Sequence, residues 1–132
     1  MILSRRTVKR ALTITVVILL LLQPFTVFAL TSSEAKQNWY DAKNASRNAQ
    51  QSYREARLAY AANKTDENNQ KVIETGKDTL YAALDEAQTW LIYVQTELDE
   101  NPEVPEDLKT TIKGDISTNL GKIDGLRAED HK

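Results

Sequence analysis

The sequence contains no cysteine, and its 132 residues include one histidine, three prolines and four glycines. The absence of cysteine excludes disulfides, thiolate metal sites and the acylated cysteine of a bacterial lipoprotein. The single histidine, His131, lies next to the last residue, where a frayed chain end makes a poor catalytic base. The stability of the fold must therefore come from packing alone.

The sequence also lacks the short motifs on which catalysis and nucleotide binding depend. It has no glycine-rich phosphate loop, no paired-histidine metal motif and no nucleophile elbow. Residues 31–132 carry more acidic than basic side chains, which disfavours contact with phosphate backbones. We therefore predict a protein that is not an enzyme, has no catalytic or metal site and no cofactor, and binds no nucleic acid.

The N-terminal part of the chain has the layout of an export signal. Four basic side chains among the first ten residues precede an apolar run over residues 11–22. Val27 and Ala29 then place small residues three and one positions before a possible cleavage site. We predict a signal peptide over residues 1–29, with signal cleavage after Ala29.

An uncleaved membrane anchor is the alternative, because residues 11–30 reach the length of about twenty that a transmembrane helix needs. The basic side chains would then keep the N-terminus in the cytoplasm. Both interpretations place residues 30–132 outside the cytoplasm, either secreted or in the cell envelope. Both also confine membrane contact to residues 1–30.

A seven-residue repeat follows the export signal. Residues 35–62 form four consecutive heptads that start with Ala35, Ala42, Ala49 and Ala56. A second row at the alternating spacing contains Asn38, Ala45, Ser52 and Ala59, and it is flanked by Trp39, Ser46, Tyr53 and Tyr60. Two such rows are typical of the seam of a coiled coil, where alanine lets the partner helix approach closely.

Capping signals and prolines predict three helices. Thr31 and Glu34 form a capping box for the first helix, which should end near Asn63. The second helix carries one apolar face with Ile73, Leu80, Leu84, Ala87, Leu91, Val94 and Leu98. The third carries Leu108, Ile112, Ile116, Leu120, Ile123 and Leu126.

The boundaries of the later helices follow from local residue types. Thr65 or Asp66 should cap the second helix, which stops before Pro102. Pro105 suits the first position of the third helix, because a missing N–H costs nothing there. The glycines of the third helix weaken it, or else offer a smooth face to another helix.

Folding the first two helices onto each other pairs Trp39 with Trp90, Ala49 with Leu80, and Tyr53 with Gly76. We therefore predict an all-α protein, an antiparallel alanine-rich coiled-coil hairpin with a shorter third helix, preceded by an N-terminal signal or anchor helix. The three helices together would form a three-helix bundle over residues 30–132.

The two ends of the predicted hairpin differ in their apolar residues. The third helix is too short to cover the tip, so a possible interaction surface remains at Tyr53, Leu58, Tyr60, Val72 and Ile73. At the other end, Trp39 and Trp90 should fill the core, whereas Tyr40 and Tyr93 could rest on lipid headgroups if the anchor is retained. We predict a protein partner or self-association through the tip.

Two further features are candidate sites. Asn44, beside the seam, and Asn63, at the predicted turn, begin sequons and are possible N-glycosylation sites, of which Asn63 is the more accessible. An acidic elbow joins the second and third helices and contains Glu97, Asp99, Glu100, Glu103, Glu106 and Asp107. A hard cation could bind there, but the spacing lacks the pattern of a calcium loop, so we interpret it as a solvated acidic surface.

The runs NWYDAKNASRNAQQSYREARLAYAA, ALDEAQTW and NPEVPEDLK resemble secreted helical proteins of methanogenic archaea. The resemblance covers most of the exported part and carries no known active site. It implies an archaeal cell envelope and fits the sequons.

Three classes of function are compatible with these features. We predict a non-catalytic exported or cell-surface helical-bundle protein with a structural or protein-interaction role. One alternative is an extracytoplasmic ligand- or cation-binding module, which would need a cavity between helices. The other is a sensory ectodomain, if the N-terminal helix is retained.

Overall fold

The computed structural model describes residues 29–129, which form three α-helices and no strand. They are α1 (Ser32–Ala62), α2 (Asp66–Glu100) and α3 (Glu106–Glu129), so the predicted all-α class is confirmed for this part of the chain. The predicted signal peptide or anchor up to residue 28, and His131, lie outside the described residues. Among the residues described, no helix combines the length and apolar character that a bilayer crossing requires.

Capping side chains fix the ends of α1 and α2 as the sequence predicted. The Thr31 hydroxyl accepts a hydrogen bond from the backbone N–H of Glu34 at 3.2 Å, and the Glu34 carboxylate accepts one from the backbone N–H of Thr31 at 2.9 Å. α1 ends at Ala62, and Thr65 then caps α2 by accepting from the backbone N–H of Asn68 at 3.2 Å. Each cap satisfies an N–H that has no partner inside its helix.

α1 presents one row of residues to α2. The row alternates spacings of four and three and contains Ala35, Trp39, Ala42, Ser46, Ala49, Tyr53, Ala56 and Tyr60, all buried or half-buried. The predicted second row is wrong, because all four of its members are exposed: Asn38, Ala45, Ser52 and Ala59. The residues that were expected to flank this row lie in the interface instead. With α1 turned so that Trp39, Tyr53 and Tyr60 face α2, three aromatic rings are half-buried. This orientation removes more apolar area from water than the predicted one would.

The facing row of α2 is more polar. It contains Thr75, Thr79, Ala82, Glu86, Thr89, Tyr93 and Thr96, all half-buried. Each of the four threonine hydroxyls donates to a backbone carbonyl one turn earlier in α2. These bonds satisfy hydroxyl groups that burial would otherwise leave unpaired. Threonine can therefore occupy an interface where the sequence suggested leucine and isoleucine.

The register of the hairpin agrees with the prediction at Tyr53 and differs by one residue nearby. A Cβ atom added to Gly76 would lie 3.4 Å from Cε2 of Tyr53, which confirms that these two residues meet. The partner of Ala49 is Thr79, whose hydroxyl donates to the Ala49 carbonyl at 3.1 Å. Leu80, the predicted partner of Ala49, is 53% exposed. The apolar residues of α2 therefore do not indicate which side of the helix faces α1.

α3 packs against α2 alone. Ile116 and Ile123 of α3 are buried, as is Leu84 of α2. No Cα atom of α1 lies within 8 Å of a Cα atom of α3. α3 begins at Glu106, one residue later than the predicted start at Pro105. The helices form a bundle as predicted, but the third helix touches one neighbour and not two.

The ends of α3 depart from the predicted apolar stripe. Leu108 and Leu126 are about half-exposed, whereas Lys109 is buried and Arg127 forms a salt bridge with Asp85 of α2. Lys109 and Arg127 lie at helical spacing from the central isoleucines, so they share the covered face. Their long apolar stems can line a contact while the charged ends reach a carboxylate or water.

Two carboxylates lie at the open end of the hairpin, where Glu100 joins α2 to α1 and Glu34 caps α1. Glu100, the last residue of α2, accepts hydrogen bonds from the hydroxyl and the backbone N–H of Ser32, the latter at 2.8 Å. The hydrogen bond from the Ser32 hydroxyl lowers the pKa of Glu100 most, and the bond from the Ser32 backbone N–H lowers it further. The backbone and side-chain bonds from Thr31 lower the pKa of Glu34 in the same way. Both carboxylates lie at the N-terminus of α1, where the helix dipole favours negative charge.

These lowered pKa values predict an acid-sensitive hairpin end. A carboxylate whose pKa falls on folding stabilises the protein above its unfolded pKa, and this stability is lost as the pH falls through the folded pKa. We expect the doubly substituted chain Glu34→Gln, Glu100→Gln to lose less stability than the native chain on acidification below the ordinary value of 4.5. Urea unfolding at neutral and acidic pH measures this difference. Asp124→Asn, which changes an exposed carboxylate of α3, is the control, and an identical acid response of all three chains would contradict the prediction.

Candidate interaction surfaces

The hairpin tip is the predicted interaction surface formed by Tyr53, Leu58, Tyr60, Val72 and Ile73. Leu58 is 65% exposed and Ile73 is 47% exposed, so both are available for contact. The other three are half-buried, because they lie in or beside the contact between α1 and α2. The exposed part of the predicted surface is therefore smaller than expected.

The turn that closes the tip is well ordered by hydrogen bonds. The Asn68 side chain donates to the carbonyl of Asn63 at 2.8 Å, and the backbone N–H of Thr65 donates to the same carbonyl at 3.0 Å. On the side of the tip, the contact between α3 and α2 extends to the salt bridge between Arg127 and Asp85. Ile73 lies more than three helical turns beyond Asp85, so it is out of reach of this contact.

A basic stripe runs along α1 beside its contact with α2. It contains every cation of α1 at alternating helical spacing: Lys36, Lys43, Arg47, Arg54 and Arg57. The three acidic residues of α1, Glu34, Asp41 and Glu55, occupy a different row at multiples of seven. No salt bridge found within residues 29–129 involves a cation of the basic stripe.

Two shallow grooves open along the basic stripe. One, of about 350 Å³, is lined by Gln50, Tyr53, Arg54, Arg57, Leu58 and Ala61. The other, of about 360 Å³, is lined by Arg47, Gln50, Gln51, Arg54 and Glu55. The Arg57 guanidinium lies 5.7 Å from the centroid of the Tyr53 ring, a cation–π contact that holds it over the helix interface.

α2 leaves an apolar stripe largely uncovered, with only Gly76 and Val94 of the stripe half-buried. The stripe contains Ile73, Gly76, Leu80, Ala83, Ala87, Trp90 and Val94, again at spacings of three and four. The single apolar face predicted for this helix is therefore two faces, since α3 covers the other one, which contains Leu84, Leu91 and Leu98. The indole N–H of Trp90 is the only side-chain polar group in the apolar stripe.

The basic stripe and the apolar stripe lie on the same side of the hairpin. Gly76 approaches the edge of the Tyr53 ring, and Arg57 lies over that same ring. α3 is attached on the other side, where its basic residues pair with Asp85 and Asp99 of α2. The two stripes thus form one continuous face, with cations along α1 and apolar side chains along α2.

The aromatic residues at the open end are arranged differently from the prediction. Trp39 stacks on Tyr93 across the interface, with ring centroids 5.8 Å apart and planes inclined by 6°. Trp90 was expected to meet Trp39 in the core but is 46% exposed, and Tyr40 is 44% exposed. Lys43 lies 5.0 Å from the centroid of the Trp39 ring. Tyr93 therefore occupies the position beside Trp39 that was predicted for Trp90.

The acidic elbow is divided among separate contacts. Asp99 pairs with Lys113 of α3, and Glu106 pairs with Lys109 at 3.2 Å. Glu100 accepts the hydrogen bonds from α1 described above. Within residues 29–129, no three histidine or acidic side chains are grouped so that they could hold a metal ion. The elbow therefore joins helices rather than gathering its oxygen atoms around one point.

The predicted processing and modification sites are all accessible. Asn44 and Asn63 are both exposed, so Asn44 is less hindered by the helix interface than expected. Ala29 and Leu30, on either side of the predicted cleavage point, are exposed and lie beside Ile92 of α2. Exposure is compatible with glycosylation and cleavage, which both stay predictions.

No family model, curated protein or solved structure matches this chain. The resemblance to secreted helical proteins of methanogenic archaea therefore stays a prediction. The function is to be inferred from the surfaces of the helices themselves.

Proposed function

We propose that this chain is a non-catalytic helical-bundle protein of the cell surface or extracellular space, with a structural role and a protein-binding hairpin tip. α1 and α2 would act as a coiled-coil arm, a description that the alternating spacing of their contact rows supports. The exposure of Leu58 and Ile73 at the tip is the observation that carries the proposal. Export and an archaeal cell envelope are part of the proposal and come from the sequence.

Burial of the exposed tip residues would favour association. A fully buried leucine or isoleucine gains about 1.5–3 kcal/mol over an exposed one. The same gain in two copies, or in one copy and a partner, can offset part of the entropy lost when two molecules associate. The half-buried Tyr60 and Val72 lie nearby and would extend the contact.

The alternatives have less support from the described residues. Ligand binding would need a cavity between helices, and the grooves along α1 are lined by one helix only. Cation binding at the acidic elbow would have to compete with Lys113 and Lys109 for Asp99 and Glu106. A sensory role depends on residues that lie outside the described part.

We expect the double substitution Leu58→Ser, Ile73→Ser to weaken self-association, or association with the native envelope, by about tenfold or more, because each lost side chain removes apolar burial. Sedimentation velocity of the purified chain over a range of concentrations measures self-association. Leu108→Ser, Leu126→Ser is the matched control, since these leucines are similarly exposed but lie on α3. A native chain that stays monomeric at high concentration, together with unchanged envelope association of the tip variant, would argue against the proposed function.

A further inference from the structure

We propose that the face formed by the basic stripe of α1 and the apolar stripe of α2 binds an anionic lipid bilayer, with the hairpin lying along the membrane surface. This inference goes beyond the proposed function, which concerns the tip. It also extends membrane contact past residues 1–30, where the sequence alone placed it.

The charge of the face fits an anionic surface. The five cations of α1 lie along one side of the helix, and none of them is paired with a carboxylate in the described part. Glu34 and Asp41 lie on a different row and would not face the lipid, whereas Glu55 of that row lines the second groove beside Arg47 and Arg54. Clustered lysine and arginine side chains next to apolar residues are typical of helices that bind anionic headgroups.

The apolar part of the face runs alongside the basic part and has the same length. Lys36 to Arg57 on α1 and Ile73 to Val94 on α2 each cover 22 residues, which corresponds to about 32 Å of helix. Within the apolar stripe, the large side chains exposed to water are those of Ile73, Leu80 and Trp90. Two packed helices with parallel stripes present their side chains in one plane, as a flat bilayer surface requires.

Two exposed aromatic residues belong to the same face. Tyr40 occupies a position in the basic stripe, and Trp90 lies in the apolar stripe, both near the open end of the hairpin. Rings that combine an apolar body with a polar N–H or O–H favour the boundary between headgroups and acyl chains. The long stems of Lys36 and Arg47 can lie on apolar lipid while their charges reach phosphate groups.

A lipid surface fits this face better than an acidic protein helix does. Protein interfaces depend on a few anchor residues that fill pockets in the partner. The two grooves found on this face open among the basic side chains of α1, whereas a docked helix would place its apolar anchors over α2. A continuous face without such a pocket can still enter a bilayer surface, because lipids adapt to its shape.

The test is flotation of the full chain with vesicles of zwitterionic phosphatidylcholine, with and without anionic phosphatidylglycerol. We expect binding to the anionic vesicles that weakens with salt, and a loss of affinity of about tenfold or more in Arg47→Glu, Arg54→Glu. The control Lys71→Glu, Lys122→Glu makes the same change in net charge at exposed residues outside the stripe and should bind like the native chain. Circular dichroism checks that each variant stays helical.

The second arm concerns the apolar stripe. Leu80→Ser, Trp90→Ser should weaken vesicle binding, whereas Leu108→Ser, Leu126→Ser should leave it unchanged. In the Trp39→Phe background, the fluorescence emission of Trp90 should shift to shorter wavelength when anionic vesicles are added.

Equal binding to both kinds of vesicle, unchanged by the stripe substitutions, would overturn the inference and assign the contact to residues 1–30. Stripe substitutions that abolish association with another protein but not with vesicles would also overturn it. Ile73 belongs to both the tip and the apolar stripe, but Leu58 and Ile73 stay native throughout, so these variants leave the side chains of the tip unaltered.

Discussion

Replacing Ile116 with alanine should lower the free energy of unfolding by about 2–4 kcal/mol, because the change leaves a cavity between α2 and α3. Ile116 is only 4% exposed and is one of few large apolar side chains buried within residues 29–129. α3 makes no close approach to α1, so its packing rests on α2 alone. We therefore expect the substitution to detach α3 while the α1–α2 hairpin stays folded.

Hydrogen exchange measured by mass spectrometry separates these two effects. Amides of α3 should exchange much faster in the Ile116→Ala chain, whereas those in the middle of α1 should keep their protection. Leu108→Ala, at a half-exposed position of the same helix, is the control and should cost less than about 1 kcal/mol. Loss of protection to the same extent in α1 would show that the three helices unfold as one unit.

Replacing Gly114, Gly121 and Gly125 together with alanine should raise the free energy of unfolding by about 2–3 kcal/mol, the sum of their differences in helix propensity. A Cβ atom at any of the three positions meets no atom within 4 Å beyond the neighbouring residues and backbone of its own helix, and none of these glycines has a positive φ. The gain should therefore not be offset by a clash. The midpoint of thermal unfolding should rise by on the order of 10 °C.

Gly76→Ala provides the comparison. Its Cβ would lie 3.4 Å from Cε2 of Tyr53. Close contact with the ring would therefore offset part of the stability gained from the higher helix propensity of alanine. We expect a smaller increase than the average of the three α3 positions. If the triple variant is instead less stable than the native chain at high protein concentration, the glycine face of α3 is a contact between copies.

Much of the local structure could be predicted because it depends on nearby residues. Thr31 with Glu34, and Thr65 with Asn68, satisfy backbone groups within one helical turn, so the helix starts follow from short stretches of sequence. The breaks near Asn63 and Pro102 were predictable for the same reason. The all-α class then follows from the absence of any competing strand pattern.

The orientation of α2 could not be predicted from its apolar residues. The helix has two apolar faces, and the sequence does not say which of them is covered by α3 and which is left open. Apart from Gly76, which meets Tyr53, neither of them faces α1. That side of α2 carries Thr79 and its neighbours, whose hydroxyls bond to their own helix and tolerate burial. Leu80 and Trp90 were therefore assigned to the core, although both belong to the apolar stripe.

The spacing of the cations in α1 is sufficient to predict the basic stripe. Lys36, Lys43 and Arg47 follow each other at spacings of seven and four, which places them on one side of a helix, and Arg54 and Arg57 continue the row. Net charge averaged over α1 hides this pattern, because acidic residues on another row cancel part of it. The relation of the stripe to the apolar residues of α2 needed the register of the hairpin.

The threonine-rich row of α2 affects how the molecule could vary in length. α1 lies against a row that consists mostly of threonine and alanine, and the distinctive contacts are those of Trp39, Ala49, Tyr53 and Ser32. Adding seven residues to the middle of each helix would preserve the repeating contact and lengthen the hairpin by about 10.5 Å. Because α1 has 31 residues, the tip lies roughly 46 Å from the open end of the hairpin, where α1 begins. The hairpin could therefore change its length in steps of seven residues per helix without a new interface.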